Sequence, residues 1–197
     1  MRIAKASHEA VKYACIKFHY ARRVPANYSY AYNIYNDSED WCGCIVFGIG
    51  STVNIARFIG AESGTCLELQ RVALNGKQGH NATSRAVSMA MRETKKDAVL
   101  LKCLFSYADT GQGHIGTIYQ ATNWLYLGIR QTGMYEKDGI LYHIRTVGDR
   151  MKNKPKAGYG GYRYVKSSGK HLYVYPYDLI LKESLLARAK PYPKKAA

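Results

Sequence analysis

The sequence predicts an α/β (α+β) domain with a mixed central sheet, helices on both of its faces and a basic C-terminal extension. Three observations carry this. Segments with period-two alternation or short apolar runs interleave with segments of helical spacing, in the order helix, hairpin, strand, helix, strand, helix, hairpin. A strand–helix–strand unit sits at the centre of that order, which implies a mixed sheet. At 197 residues the chain is long enough for one compact domain with a real core and an appendage.

The elements follow from local pattern. Ser7 precedes Val11, Ala14, Cys15 and Phe18, which recur at helical spacing, so Ser7 reads as an N-cap. Pro25 places the end of that helix near Arg22–Val24. Tyr28–Tyr35 alternates cleanly, Asn36–Asp40 is a polar turn, and Trp41–Ile49 is apolar, which together predict a hairpin. Leu67–Leu74 reads as a strand, Asn75–Gly79 as a turn, and Asn81–Ser84 as the cap of a helix carrying Arg85, Ala86, Val87, Met89, Ala90 and Met91. Val99–Phe105 is the next strand, and a polar, glycine-containing stretch leads from it into a further helix. Gly128–Tyr135 and Ile140–Thr146 form the last hairpin, joined through Asp138-Gly139. The division expected is a domain over residues 1–150 and an extension over 151–197, packed on it or continuous with it. The terminal Lys190–Lys195 reads as frayed.

The net charge is +15, and residues 145–197 carry 13 Lys and Arg against 3 Asp and Glu. Such asymmetry suggests a polyanionic partner, most simply nucleic acid, with a solubilising tail as the bland alternative. In the extension, Gly158–Tyr164 and His171–Tyr177 interleave tyrosines with bases. Arg163, Lys166 and Lys170 suit phosphates, and Tyr162 and Tyr164 suit stacking on an unstacked base. Tyr173, Tyr175 and Tyr177 read equally as one face of an edge strand. No apolar run reaches membrane-spanning length, and the N-terminus lacks a signal-peptide core, so the expected setting is cytoplasmic. The five cysteines are odd in number and lie in apolar segments, which suits buried thiols better than disulfides. Cys42 and Cys44 are expected on one strand face, without a second pair at zinc-site spacing.

The densest polar cluster is Ser106–Trp124, where Ser106, Asp109, His114 and Tyr119 gather around Gly111, Gly113 and Gly116 after a strand. Such strand-to-helix openings are where open α/β sheets bind ligands. Arg71, Asn81, Ser84 and Arg85 suit an anion, since a helix start and guanidinium groups favour phosphate.

The element order resembles the GNAT-type acyltransferase fold. In it a strand like Leu67–Leu74, here through Arg71 and Val72, supplies backbone groups to an acyl-CoA arm, and the next helix start receives the pyrophosphate. Gly76-Lys77-Gln78-Gly79 and Asn81–Arg85 stand where that fold has its glycine-rich signature. Leu67–Arg71, Asn81–Arg85, Phe105–Asp109 and Gly113–Trp124, with the pair His19-Tyr20, are similar to the Mom DNA-modification proteins of bacteriophages. The resemblance covers about residues 15–177. It implies an enzyme of the host cytoplasm that converts adenine in DNA to N6-methylcarbamoyl adenine and so protects viral DNA from restriction. It implies DNA and a small or carrier-borne donor as partners, with acyl-CoA, a related acyl or glycyl donor, or an iron centre as cofactor.

Under that resemblance Ser106 positions substrate and Asp109 is a base or acceptor for the adenine amine. Ordinary turn-stabilising roles are the alternative for both. Tyr119 is a candidate general acid toward a leaving thiolate, or a tyrosine packed on the sheet. His19 and Tyr20 gain a catalytic role, with His19 a metal ligand in one version, against the plain reading of a histidine at a helix end. His114 reads equally as a base or ligand and as a residue that simply starts the helix between Gly113 and Gly116. Asn123 and Trp124 suit base contacts or core. A GNAT-type N-acetyltransferase acting on protein or RNA, and a non-catalytic DNA-binding protein, remain as other readings.

Overall fold

The computed structural model describes residues 1–50, 54–131, 133–143, 147, 161–166 and 168–194. Its elements are β1 (Arg2–Lys5), α1 (His8–Phe18), β2 (Tyr28–Tyr35), β3 (Trp41–Gly48), α2 (Ile55–Ile59), β4 (Cys66–Leu74), α3 (Ala82–Asp97) and β5 (Cys103–Asp109). After a 3-10 turn (Thr110–Gln112) come α4 (Thr117–Gln120), β6 (Leu125–Arg130), β7 (Gly133–Lys137), β8 (Ile140–His143), β9 (Arg163–Lys166), β10 (Lys170–Pro176) and α5 (Leu179–Leu186). Gly158–Gly160 and Ile144–Thr146, assigned above to the tyrosine-rich run and the last strand, lie outside the described residues.

Seven strands form the main sheet in the order β1-β2-β3-β4-β5-β10-β6, and β8-β7-β9 make a smaller one. Each pair in the main sheet is antiparallel except β4 with β5. That parallel pair is what the helical crossover α3 requires. Because strand side chains alternate, the sheet buries two faces. On one, Val11, Ala14 and Cys15 of α1 pack on Cys44, Val46 and Ala73. On the other, Ala86, Val87, Ala90 and Met91 of α3 cover Ile45, Phe47, Leu69 and Leu104. The mixed sheet with helices on both faces is therefore as the sequence predicts.

Local signals explain the elements that match. The Ala10 amide donates to Ser7 Oγ at 3.3 Å, so Ser7 caps α1. Asp138 and Gly139 both have positive φ (51° and 75°), the geometry of the two-residue turn that joins β7 to β8.

Other expectations need correction. The strand expected at Val99–Phe105 begins four residues later. Val99 and Leu100 are 78 % and 79 % exposed in the connection, while pairing of Cys103 with Cys66 sets the register of β5. Apolar character alone does not distinguish a connection from a strand. Ser106 consequently lies inside a strand rather than at its end. Gly128–Tyr135 is two strands, because β6 ends at Arg130 to pair with β10 and β7 belongs to the small sheet. The expected edge strand of tyrosines, β10, is interior, bonded on both sides. Cys42 and Cys44 do not share a face: Gly43 has φ +125° beside a register irregularity, and the thiols pack in opposite cores. A Cβ at Gly43 would strike the Ala73 carbonyl, so Gly43→Ala should lower Tm markedly in a melting experiment. All five cysteines are buried and free. The terminal segment is not frayed through residue 194: Lys190 N donates to Tyr126 O at 2.8 Å, and Tyr192 OH to Trp124 O at 2.8 Å.

Candidate active site

The site originates in a local failure of sheet pairing. β4 and β5 pair only over Cys66–Glu68 and Cys103–Phe105, and beyond those residues the strands part. In the β3–β4 ladder Val46 faces Arg71 and Phe47 faces Leu69, which leaves Gln70 as an extra residue. A bulge of this kind bends a strand and re-aims its side chains. A cavity of about 770 Å³ opens there, floored by Leu69–Val72 and Ser106–Ala108 and walled by His19, Tyr20, the 113–119 loop and Lys170. That volume lies within the range of small-molecule sites.

α1 stops at Phe18, earlier than Pro25 implies, and His19 is extended (φ −105°, ψ 136°). The chain thereby carries His19 and Tyr20 out of the helix and to the cavity. Their rings are 4.4 Å apart, and Tyr20 meets His114 edge-on at 5.6 Å. His114 is not a helix start: α4 begins three residues later, and His114 lines the cavity. Gly116 permits that path, since its φ is +77° and a Cβ there would strike the Tyr173 ring.

At the floor, Ser106 Oγ is 2.7 Å from both the Leu69 carbonyl and Tyr119 OH. A carbonyl only accepts, so Ser106 donates to Leu69 and accepts from Tyr119. Burial pushes the Tyr119 phenol up to about 12, so at neutral pH it is a proton donor and not a phenolate. Burial, the Arg71 guanidinium and then His114 push His19 down to about 4. Burial and then the Asp109 charge raise Tyr20. The His19 shift couples folding to pH. Above the unfolded value of 6.5 its contribution is complete, and it is lost as pH falls toward 4, because the unfolded chain binds the proton first. Thermal melts should therefore show Tm falling from pH 6.5 to 4, with a shallower fall in His19→Gln.

Of the residues singled out in the sequence, His19, Tyr20, Arg71, Val72, Ser106, Tyr119 and Lys170 line this one cavity. Asp109 follows its lining residue Ala108. The Asp109 carboxylate accepts from the Gly111 amide at 2.9 Å and lies 3.9 Å from Lys170 Nζ. Asn81, Ser84 and Arg85 are elsewhere, at the start of α3. Asn81 is left-handed (φ 54°) and makes no side-chain cap, while the Ala82 amide donates to Gly79 O at 3.4 Å. Arg163, Lys166, Tyr162 and Tyr164 belong to the small sheet or its approach. There Arg163 pairs with Glu136 at 3.0 Å, Tyr162 meets Tyr142, and Tyr164 meets Tyr135. Trp124 is core, fully buried against Tyr119 and Tyr175. Sequence reasoning missed Glu68, Arg130 and Gln131, which also line the cavity. Alternation along β4 was the available signal for Glu68, but no local pattern marked the other two.

The residues present fit a CoA-type donor better than a metal. The start of α3, without a side-chain cap from Asn81 and with Arg85 in its first turn, offers amides and charge to a pyrophosphate. Among the described residues, no three His, Cys, Asp or Glu side chains come together to hold a metal ion, so they do not fit an iron centre. No described helix is long and apolar enough to cross a membrane.

Comparison with known proteins accords with this geometry. The Mom protein family profile matches residues 1–194. The methylcarbamoylase Mom of Escherichia phage Mu is 29 % identical over 195 residues, covering 89 % of this chain and 76 % of that protein. Among solved structures, one assigned as a phosphinothricin N-acetyltransferase superposes with TM-score 0.53 at 13 % identity, over 89 % of this chain and 97 % of its own. A Bacillus subtilis acetyltransferase in complex with CoA gives TM-score 0.50 at 10 % identity, over the same shares. The two structures establish the fold, and the profile match establishes the family: this chain belongs to the Mom protein family, built on the GNAT acetyltransferase architecture.

Proposed function

We propose that this protein is a phage transferase that modifies DNA, converting adenine to N6-methylcarbamoyl adenine and so shielding viral DNA from restriction in the host cytoplasm. The observation that carries this reading is the convergence of His19, Arg71, Ser106 and Tyr119 on one cavity, in a chain of the family whose phage Mu member is a methylcarbamoylase. An adenine amine inside a duplex is paired, so the base is flipped out or taken from single-stranded DNA. Tyr20, 56 % exposed at the cavity wall, offers a ring on which a flipped base stacks. Asp109, beside the cavity floor, accepts from the adenine amine, and Tyr119 supplies the proton for the departing group. A CoA thioester, when bound, supplies an activated acyl carbon. The α3 start and Arg85 would hold its pyrophosphate, and the backbone of Arg71 and Val72 would align its arm.

Nucleoside mass spectrometry of DNA from expressing cells tests this. Adenine carrying the methylcarbamoyl mass supports the reading, whereas unmodified DNA, or acetylation of protein or RNA instead, overturns it. The small sheet is the proposed phosphate contact. Replacing Arg163 and Lys166 with Ala should weaken DNA binding without regard to sequence and reduce the salt slope of log K by about 2. An unchanged slope in a fluorescence-anisotropy salt titration would remove these residues from the interface.

A further inference from the structure

We propose that His19 serves as a neutral hydrogen-bond donor, through Nε2–H, to a lone-pair acceptor bound in the cavity, and not as a general base or metal ligand. The acceptor is the carbonyl oxygen of the transferred group or a ring nitrogen of the target base, an assignment that rests on the function proposed above.

The argument begins at the end of α1. Where the chain turns out of the helix, the Ala21 backbone N–H lies 3.1 Å from His19 Nδ1. A backbone amide only donates, so Nδ1 presents its lone pair to it. A neutral imidazole carries one proton, which must therefore sit on Nε2. In that tautomer Nε2 has no lone pair, so it neither takes a proton from an amine nor ligates a metal, and the lone pair of Nδ1 is already engaged. The bond spans two residues of one turn, so it fixes the tautomer whatever fills the cavity.

The surroundings favour the same role. The Arg71 guanidinium lies close enough to disfavour a second proton on the ring. Arg71 Nε–H is itself buried without a hydrogen-bond partner among the described residues. His19 and Arg71 line the same cavity, so the ring is held there beside a fixed positive charge. Donors fixed before the reaction act most strongly on an oxygen that gains charge in the transition state.

Two measurements test this separately. Long-range proton–nitrogen correlation NMR on protein labelled with ¹⁵N-histidine, with His19→Gln to assign the signals, reads the tautomer without any need for activity. Protonated Nε2 and unprotonated Nδ1 at pH 7 are expected, and the reverse pattern overturns the proposal. In cells, His19→Gln retains an N–H near the Nε2 position and should keep at least about a tenth of the modified adenine. His19→Ala should lose about 100-fold, within the range for one preorganised donor. A folded His19→Gln as inactive as His19→Ala also overturns the proposal. If the NMR pattern holds while wild-type DNA is unmodified, the failure belongs to the function proposed above. Oligonucleotides containing 7-deazaadenine, 3-deazaadenine or 1-deazaadenine distinguish the acceptors. Loss of the Ala-to-wild-type difference with one analogue identifies that ring nitrogen, and an unchanged difference with all three identifies the carbonyl oxygen.

Discussion

Tyr119→Phe is expected to reduce modified adenine by about 100-fold or more, the scale of a lost general acid, while leaving the fold nearly unperturbed. The two effects separate because of the hydrogen-bond order at the cavity floor. Ser106 donates to the Leu69 carbonyl and needs Tyr119 only as an additional donor. Removing the phenol oxygen leaves the serine's own proton satisfied and costs about 1 kcal/mol of stability. Ser106→Ala makes the contrasting prediction. It strips the buried Tyr119 hydroxyl and the Leu69 carbonyl of their partner together, so it should lower Tm as well as activity. Nucleoside mass spectrometry paired with thermal melts measures both. A Tyr119→Phe protein that modifies DNA normally would confine Tyr119 to packing.

Trp124→Ala should be among the most destabilising single changes, at about 3–5 kcal/mol, or roughly 10 °C in Tm for a chain of this size. The indole is fully buried, its ring lies 5.2 Å from Tyr119 and 6.1 Å from Tyr175, and its carbonyl receives Tyr192 OH. Trp124→Phe should cost much less than its lost volume suggests. Trp124 Nε1 is buried without a hydrogen-bond partner among the described residues, and phenylalanine removes that group. Chemical denaturation of both variants checks the order. A Trp124→Phe loss in full proportion to its missing volume would mean that ring size alone sets the stability of this layer.

The sequence made legible what short-range physics controls. The Ser7 cap, the alternation of Tyr28–Tyr35 and the Asp138-Gly139 turn each declare their geometry within a few residues. Much of the candidate site was visible too, because His19, Arg71, Ser106 and Tyr119 lie in recognisable motifs. What escaped depended on distant partners. The register of β5 is set by Cys66, 37 positions before Cys103. The inward path of His114 depends on Gly116 clearing the ring of Tyr173. The separate fates of Cys42 and Cys44 turn on one glycine at an irregular strand pairing. A single chain offers no local pattern for such events.

The interior place of β10 governs when during synthesis this protein becomes competent. Residues 170–176 join β5 to β6, and Tyr173 and Gln120 together hold the loop that carries His114. The ribosome must therefore pass residue 170 before β6 has a neighbour in the main sheet. Domains usually begin folding from their N-terminal side as they emerge, but here the strand that joins β5 to β6 is made after both of them and after the small sheet. A nascent chain halted before residue 170 contains His19, Arg71, Ser106 and Tyr119 yet lacks the strand that pairs with β5 at Ser106 and holds the loop before Tyr119. Premature stops before residue 170 should thus yield silence, not a weakened enzyme.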